Sequence, residues 1–363
     1  MLSTRVLPPT AAAMEEAAAI LRAGGVVAFP TETVYGLGAN GFDAAACAKI
    51  YEAKGRPSDN PLILHIAHRA MLDEVALAVP ERAERLWAAF CPGPLTLVLR
   101  RRAAVPASIT GGLATVGVRL PENDVARALI RAAGFPLAAP SANTSGRPSP
   151  TTAQAVLADL AGRIPLILDD GSCRFGVEST IVDVTGERPV ILRPGAITRE
   201  MLEEVAGAVQ LDSGLLAQER AAEGAGAAGD AAPRAPGMKY THYAPRAPLT
   251  LLLAAPADLP AAVRRVLAEA AGKKVGLLLT DETAAALLGE VDAHVLVRLG
   301  ARSDMHAIAA RLYEALRAFD ETSVSCIFGE ALDENGLGLA VMNRLKKAAG
   351  YRMLRWEEIR GSS

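Results

Sequence analysis

Short apolar runs alternate with longer amphipathic stretches along the first two hundred residues. Residues 11–23 carry helical periodicity and stop at Gly24-Gly25. Residues 26–29 then read as a short buried strand. A helix is expected over 43–54, opened by Asp43 and ended by Gly55. Strands follow over 62–67, 96–101 and 116–120, with a helix over 81–90 between the first two. Asp124 is expected to cap a helix through 133 that ends at Gly134. Residues 137–139 form a strand that runs into a polar loop, 141–150. A helix over 152–161, strands over 166–168, 179–184 and 190–192, and a helix from Thr198 through 205 complete this part. Some strands follow each other directly, which predicts an α/β domain with a mixed, twisted sheet.

The pattern breaks after residue 210. Residues 221–235 are almost all Ala, Gly and small polar residues, a linker composition. The string Pro236-Gly237-Met238-Lys239-Tyr240-Thr241-His242-Tyr243-Ala244-Pro245 follows. Two tyrosines, a histidine and a lysine in five residues exceed what a plain connector needs. From residue 248 strands and helices alternate cleanly again, as in a small parallel-sheet domain. Three parts are therefore expected: a larger α/β domain over 1–210, a linker over 211–247, and a smaller domain over 248–363.

Composition narrows the function classes. The net charge is −2, without a basic tail, so tight electrostatic binding to nucleic acid is not indicated. The basic run Arg100-Arg101-Arg102 fits a solvated strand end better than an RNA contact. The four cysteines show no C-x-x-C spacing, so neither a zinc site nor a redox pair is expected. Their wide spacing suits reduced thiols in a cytoplasmic protein. No signal peptide and no membrane span are expected.

Five strings carry candidate chemistry. The loop Pro30-Thr31-Glu32-Thr33-Val34-Tyr35-Gly36-Leu37-Gly38 leaves a strand, enters a helix, and supplies hydroxyls, a carboxylate and a phenol. Gly36–Gly41 also fits G-x-G-x-x-G, but the glycines come too late after the strand for a dinucleotide turn. In Lys54-Gly55-Arg56-Pro57-Ser58-Asp59-Asn60 two fixed cations suit a polyphosphate, or else complement a helix dipole. Alternation puts Thr115 and Arg119 on one strand face, where an arginine needs a carboxylate from protein or ligand. The small polar run from Pro140 to Ser149 offers amides and hydroxyls to phosphate or sugar, or forms only a turn. The fifth string is Gly176-Val177-Glu178-Ser179-Thr180, with Arg193-Pro194-Gly195 behind it.

Taken in order, PTETVYGLG, KGRP-x-x-NPL, PGPLT, VGVRLP, APSAN-x-SG, VESTIVD and LRPG closely resemble the threonylcarbamoyl-AMP synthase, or YrdC-like, family. PGMKYTHYAP and the stretch from Leu339 to Leu345 resemble its long, two-domain form. The sequence departs at Cys91, where the family often has tryptophan, and at Ala235, where a serine often precedes PGMKY. The resemblance implies a YrdC-like open α/β sandwich with a mixed twisted sheet, plus a smaller C-terminal Rossmann-like parallel α/β domain.

It also implies a reaction: L-threonine, bicarbonate and ATP give threonylcarbamoyl-AMP and diphosphate, for threonylcarbamoyladenosine modification of tRNA. Lys54 and Arg56 are then the expected catalytic residues. Arg56, Asn60, Thr115, Ser141, Asn143, Ser149, Arg193 and Tyr243 are expected to bind ATP, and Thr33, His65, Arg119 and Ser179 the threonine. Magnesium is expected to arrive with ATP, held mainly by phosphate oxygens. A tRNA threonylcarbamoyl transferase complex is the expected recipient of the product, and any direct tRNA contact is expected to be weak. Residues 236–245 are expected either to close over the nucleotide as a lid or to connect two domains. The alternatives are a nucleotide- or RNA-binding module without catalysis, which the near-neutral charge disfavours, and carbamoyl transfer in hydrogenase maturation. The latter calls for zinc-finger cysteines and an acylphosphatase-like segment that this sequence lacks.

Overall fold

Five helix starts in the first two hundred residues are set by single polar side chains. Thr10, Asp43, Asn123, Thr152 and Thr198 each accept a hydrogen bond from a main-chain N–H two or three residues on. They open the helices Ala11–Arg22, Ala44–Lys54, Asp124–Ala133, Ala153–Leu160 and Arg199–Ala206. The cap of the third is Asn123 rather than the expected Asp124, which sits inside the first turn. Gly55 and Gly134 end two of these helices with φ of 60° and 86°, the left-handed region that favours glycine.

The computed structural model describes residues 2–215, 243–291 and 294–361. The chain divides into two units, Met1–Ser145 with Ser149–Tyr240, and Gly146–Pro148 with Thr241–Ser363.

The first unit is built on strands β1 (Arg5–Leu7), β2 (Val27–Phe29), β3 (Gly36–Asn40), β4 (Ile63–His65), β5 (Leu95–Arg100) and β6 (Thr115–Arg119). They are followed by β7 (Leu137–Ala138), β8 (Leu166–Leu168), β9 (Thr180–Asp183), β10 (Val190–Arg193) and β11 (Gln210–Leu211). Their order is β1-β8-β2-β3-β7-β4-β6-β5-β9-β10-β11, in one mixed sheet. The expected mixed α/β fold is thus present.

β3 was not expected. The segment from Gly36 does not run into a helix; it turns back and pairs antiparallel with β2. The glycines have a packing reason. A Cβ on Gly38 would lie 2.8 Å from a ring carbon of Phe29, and one on Gly36 3.1 Å from another. The G-x-G spacing therefore seats Phe29 against its neighbour strand and is unrelated to a phosphate turn.

The central strands alternate between two faces. Leu64, Leu95, Leu97, Leu99, Val116, Val118 and Val182 join the main core. The opposite face carries a smaller apolar cluster of Ile63, Val98, Ile181 and Leu192. Each fully buried aliphatic side chain contributes about 1.5–3 kcal/mol, so the main core fixes the strand register. The register in turn fixes which residues appear on the second face.

The second unit holds β12 (Leu249–Leu253), β13 (Val275–Leu279), β14 (Val295–Arg298), β15 (Cys326–Glu330) and β16 (Met353–Arg355). All pairings are parallel, in the order β14-β13-β15-β12-β16. Helices Leu259–Glu269, Asp281–Ala286, Met305–Ala318 and Gly338–Ala348 fill the connections. This is the expected parallel α/β domain, extended by β16 and the terminal helix Trp356–Gly361, which the sequence pattern did not reveal.

Candidate active site on the second sheet face

Arg119 is the fixed point of this face. Residues 115, 117 and 119 of β6 point away from the main core because 116 and 118 point into it. The parallel pairing of β4 with β6 sets His65 directly beside Arg119. The guanidinium is 4% exposed. Its Nη1 donates to Thr33 Oγ1 at 2.8 Å, its Nε to the carbonyl of Gly93 at 3.4 Å, and its Nη2 lies 2.7 Å from Oε1 of Glu32. Glu32, which the sequence motif contains but which was given no role there, thus places a carboxylate beside the arginine without an aligned hydrogen bond between them.

Thr31 shapes the loop that delivers Thr33 and Glu32. Its hydroxyl accepts from the N–H of Thr33 and of Val34, both at 3.2 Å, and donates to the carbonyl of Val34 at 2.6 Å. Tyr35 ties the loop down further along. Its phenol donates to the carbonyl of Gly171 at 2.7 Å, and burial pushes its pKa far above the ordinary value. Tyr35 is an anchor and not an acid.

His65 is buried, with Nδ1 3.3 Å from the carbonyl of Ile63 and its ring edge-on to Phe29. Burial, then the neighbouring Arg119 charge, lower its pKa to about 3. The imidazole is neutral at physiological pH and offers one donor and one acceptor.

Lys54 ends its helix inside the protein at 1% exposure. Its ammonium donates to the carbonyls of Ser141 and Asn143, both at 2.5 Å, and to Asn143 Oδ1 at 3.3 Å. It pins the small polar loop after β7. Ser141 Oγ donates to the same Oδ1 at 2.5 Å. Ser149 is fully buried and donates to Glu178 Oε1 at 2.6 Å, so Glu178 is a second acidic member that the sequence reading did not select. Arg56 lies beyond Gly55, half-buried, with Nη2 3.4 Å from the carbonyl of Pro61. Asn60 is buried, and its Oδ1 has no hydrogen-bond donor.

On the far side Ser179 shares a 2.7 Å hydrogen bond with Thr96. Arg193 clamps it, with Nε and Nη2 donating to the Ser179 carbonyl at 3.2 and 3.0 Å and Nη2 to its hydroxyl at 3.2 Å. Gly195 allows this approach: a Cβ there would sit 2.3 Å from the nitrogen of Thr180. Between the two sides lies an apolar concavity lined by Pro61, Ile63, Val98, Thr115, Gly117 and Ile181. Gly117 packs closely there, since a Cβ would meet Thr96 at 3.2 Å.

Arg119, Thr33 and His65 thus meet around one group, Lys54, Ser141 and Asn143 around another, and Ser179 meets Arg193. Tyr243 belongs to the second unit, where it is buried and stacks on Tyr313 at 5.1 Å. Most of the string 236–245, and with it the lid or connector question, lies outside the described residues. Arg101 and Arg102 spend their guanidiniums on main-chain carbonyls of Leu113, Val105 and Ala76. Among the described residues no three His, Cys, Asp or Glu side chains gather as metal ligands.

Comparison with known proteins shows the family. The Sua5, YciO and YrdC family model, described as telomere recombination, matches residues 19–195. The model of the threonylcarbamoyl-AMP synthase C-terminal domain matches residues 197–350. The threonylcarbamoyl-AMP synthase of Bacillus subtilis is 48% identical over 341 residues, 94% of each chain. That of Pyrococcus abyssi is 47% identical over 345 residues, 93% of this chain and 94% of its own. The crystal structure of Pyrococcus abyssi Sua5 complexed with L-threonine superposes with a TM-score of 0.88 at 44% identity, over 98% of this chain and 99% of that one. With relatives this similar over nearly its whole length, the chain belongs to the threonylcarbamoyl-AMP synthase family.

Proposed function

We propose that the chain is an L-threonylcarbamoyladenylate synthase, which joins L-threonine, bicarbonate and ATP into threonylcarbamoyl-AMP and diphosphate. The observation that carries this reading is the buried Arg119 guanidinium on the second sheet face, flanked by Thr33 and neutral His65. A fixed cation of this kind suits the carboxylate of an amino acid. The hydroxyls of Thr33 and Ser179 and the imidazole then address its amino and hydroxyl groups.

The threonine nitrogen takes up the carbon of bicarbonate with loss of water and a proton. One oxygen of the resulting carbamate attacks the α-phosphorus of ATP, and diphosphate leaves. The chemistry needs no protein nucleophile. Cys91, the thiol beside Arg119 and Glu32, is held protonated because burial pushes its pKa up to about 12. The work left to the protein is to bring anions together and orient them. Arg56 and Asn60 face the phosphates, Lys54 supplies a fixed positive charge beneath the loop it pins, and Thr115, Ser141, Asn143, Ser149 and Arg193 line the remaining nucleotide site.

The donor set of cations, amides and hydroxyls fits a magnesium ion carried in on ATP, bound by phosphate oxygens and water; bound there it would neutralise triphosphate charge. The product is a labile mixed anhydride, so direct hand-over to a tRNA threonylcarbamoyl transferase complex follows from its chemistry. Among the described residues no helix is long and apolar enough to cross a membrane, and we place the enzyme in the cytoplasm.

The test is mass spectrometry of the product formed from ATP, L-threonine and labelled bicarbonate, with diphosphate release measured alongside. Label in a threonylcarbamoyl-AMP peak, and release that needs both threonine and bicarbonate, is expected. Release indifferent to either would overturn the reading.

A further inference from the structure

We propose that Glu32 binds the ammonium group of the substrate amino acid, so that Glu32 and Arg119 together receive it as a zwitterion. The proposal rests on the threonine reading above and adds a residue to it.

The case begins with unused hydrogen-bonding capacity. Glu32 is 6% exposed, yet neither carboxylate oxygen has a hydrogen-bond donor. Nη2 of Arg119 lies 2.7 Å from Oε1, but it too lacks an aligned acceptor. Charge is balanced across the pair while its donors and acceptors are not satisfied. A buried ion pair kept only for structure would align its two groups, because burial without hydrogen bonds is costly for both.

The surroundings hold this pair in place without completing it. Nη1 and Nε of Arg119 are directed at Thr33 Oγ1 and the Gly93 carbonyl. Thr31 Oγ1 is taken up by Thr33 and Val34. The arm left facing Glu32 is Nη2. An α-amino acid carries its carboxylate and ammonium on neighbouring atoms, so it can present one to Nη2 and the other to Glu32. Its entry adds no net charge to the buried site, and both protein groups gain the partners they lack. After carboxylation the carbamate nitrogen keeps one hydrogen, which the same carboxylate accepts.

Calorimetry on the full-length protein with two probes tests this: L-threonine, and 3-hydroxybutyrate, which lacks the amino group. Glu32→Gln should weaken L-threonine binding by roughly tenfold to a hundredfold, the span of a charged hydrogen bond. It should leave 3-hydroxybutyrate unchanged or tighter, since Arg119 is then without a competing carboxylate. Parallel weakening of both probes would make Glu32 a support for Arg119 and overturn the proposal, as would undiminished threonine binding. If the glutamine variant does not fold, Glu32→Asp carries the test. It keeps the charge and should still prefer threonine to 3-hydroxybutyrate; equal binding overturns the proposal. A wild-type protein that binds L-valine as tightly as L-threonine overturns instead the substrate reading beneath it.

Discussion

The ammonium of Lys54 lies 2.5 Å from the main-chain oxygen of Asn143, and at the same distance from that of Ser141. One charged group at a helix end therefore fixes a loop that is distant in sequence. Each hydrogen bond to a charged donor is worth about 1.5–3 kcal/mol, and an acceptor left buried adds a desolvation cost. Lys54→Met should lower unfolding stability by about 2–4 kcal/mol on that basis, and raise the KM for ATP as the Ser141 loop loosens. Chemical denaturation and steady-state kinetics check both. An unchanged denaturation midpoint would mean that the loop does not depend on Lys54.

Arg56 differs from Lys54 in being half-buried, on the far side of Gly55. Its removal should act on the reaction more than on the fold. Arg56→Ala should cost roughly 2–4 kcal/mol of transition-state stabilisation, read as kcat/KM for diphosphate release, with little change in stability. Full turnover in that variant would remove Arg56 from the phosphate site.

Arg119 and Glu32 can be tested as a pair. Arg119→Ala leaves a buried carboxylate uncompensated and should cost about 3–5 kcal/mol of stability. Adding Glu32→Gln to that background should restore part of the loss, because the orphaned charge is gone. A double variant as unstable as the sum of the two singles would show that the groups are not energetically coupled.

Much of this was legible in the sequence because it is local. Helix caps such as Asp43 and Thr198 act within three residues. The period of two along β6 puts Thr115 and Arg119 on one face whatever the rest of the chain does. Glu32 was harder. Its place opposite Arg119 depends on the pairing order of the sheet, which no local pattern encodes; the usable signal was a lone carboxylate between two threonines in a loop leaving a buried strand. Lys54 illustrates the same limit from the other side. Spacing marked it as a cation near an anion site, but only the folded loop shows that its hydrogen bonds go to carbonyls. β3 was obscured because its glycines look like a turn until Phe29 is seen packed over them.

Substrate selection offers a fourth test. Valine matches threonine in shape but lacks the hydroxyl. A site that hydrogen-bonds that hydroxyl through Thr33, His65 or Ser179 leaves buried polar groups unpaired when valine enters. Valine should be adenylated with kcat/KM lower by roughly a hundredfold or more, measured by product mass spectrometry. Serine loses only a methyl contact and should fall between the two.

The depressed pKa of His65 makes a prediction about acid stability. Burial, followed by the Arg119 charge, lowers it to about 3 in the folded protein, against about 6.5 in an unfolded chain. The unfolded state therefore takes up the proton first as pH falls. The neutral imidazole's contribution is fully present above the unfolded pKa. It is lost progressively as pH drops from about 6.5 towards the folded value, at up to about 1.4 kcal/mol per pH unit. His65→Gln removes the titration but keeps a polar side chain. In substrate-free protein, the difference in unfolding free energy between wild type and His65→Gln should shift towards the variant as pH is lowered from 7 to about 5, and stay flat from about 7.5 to 9. Denaturant titrations across that range measure it. A difference that is constant with pH would place the folded pKa of His65 near its ordinary value and remove the case for a neutral, buried imidazole beside Arg119.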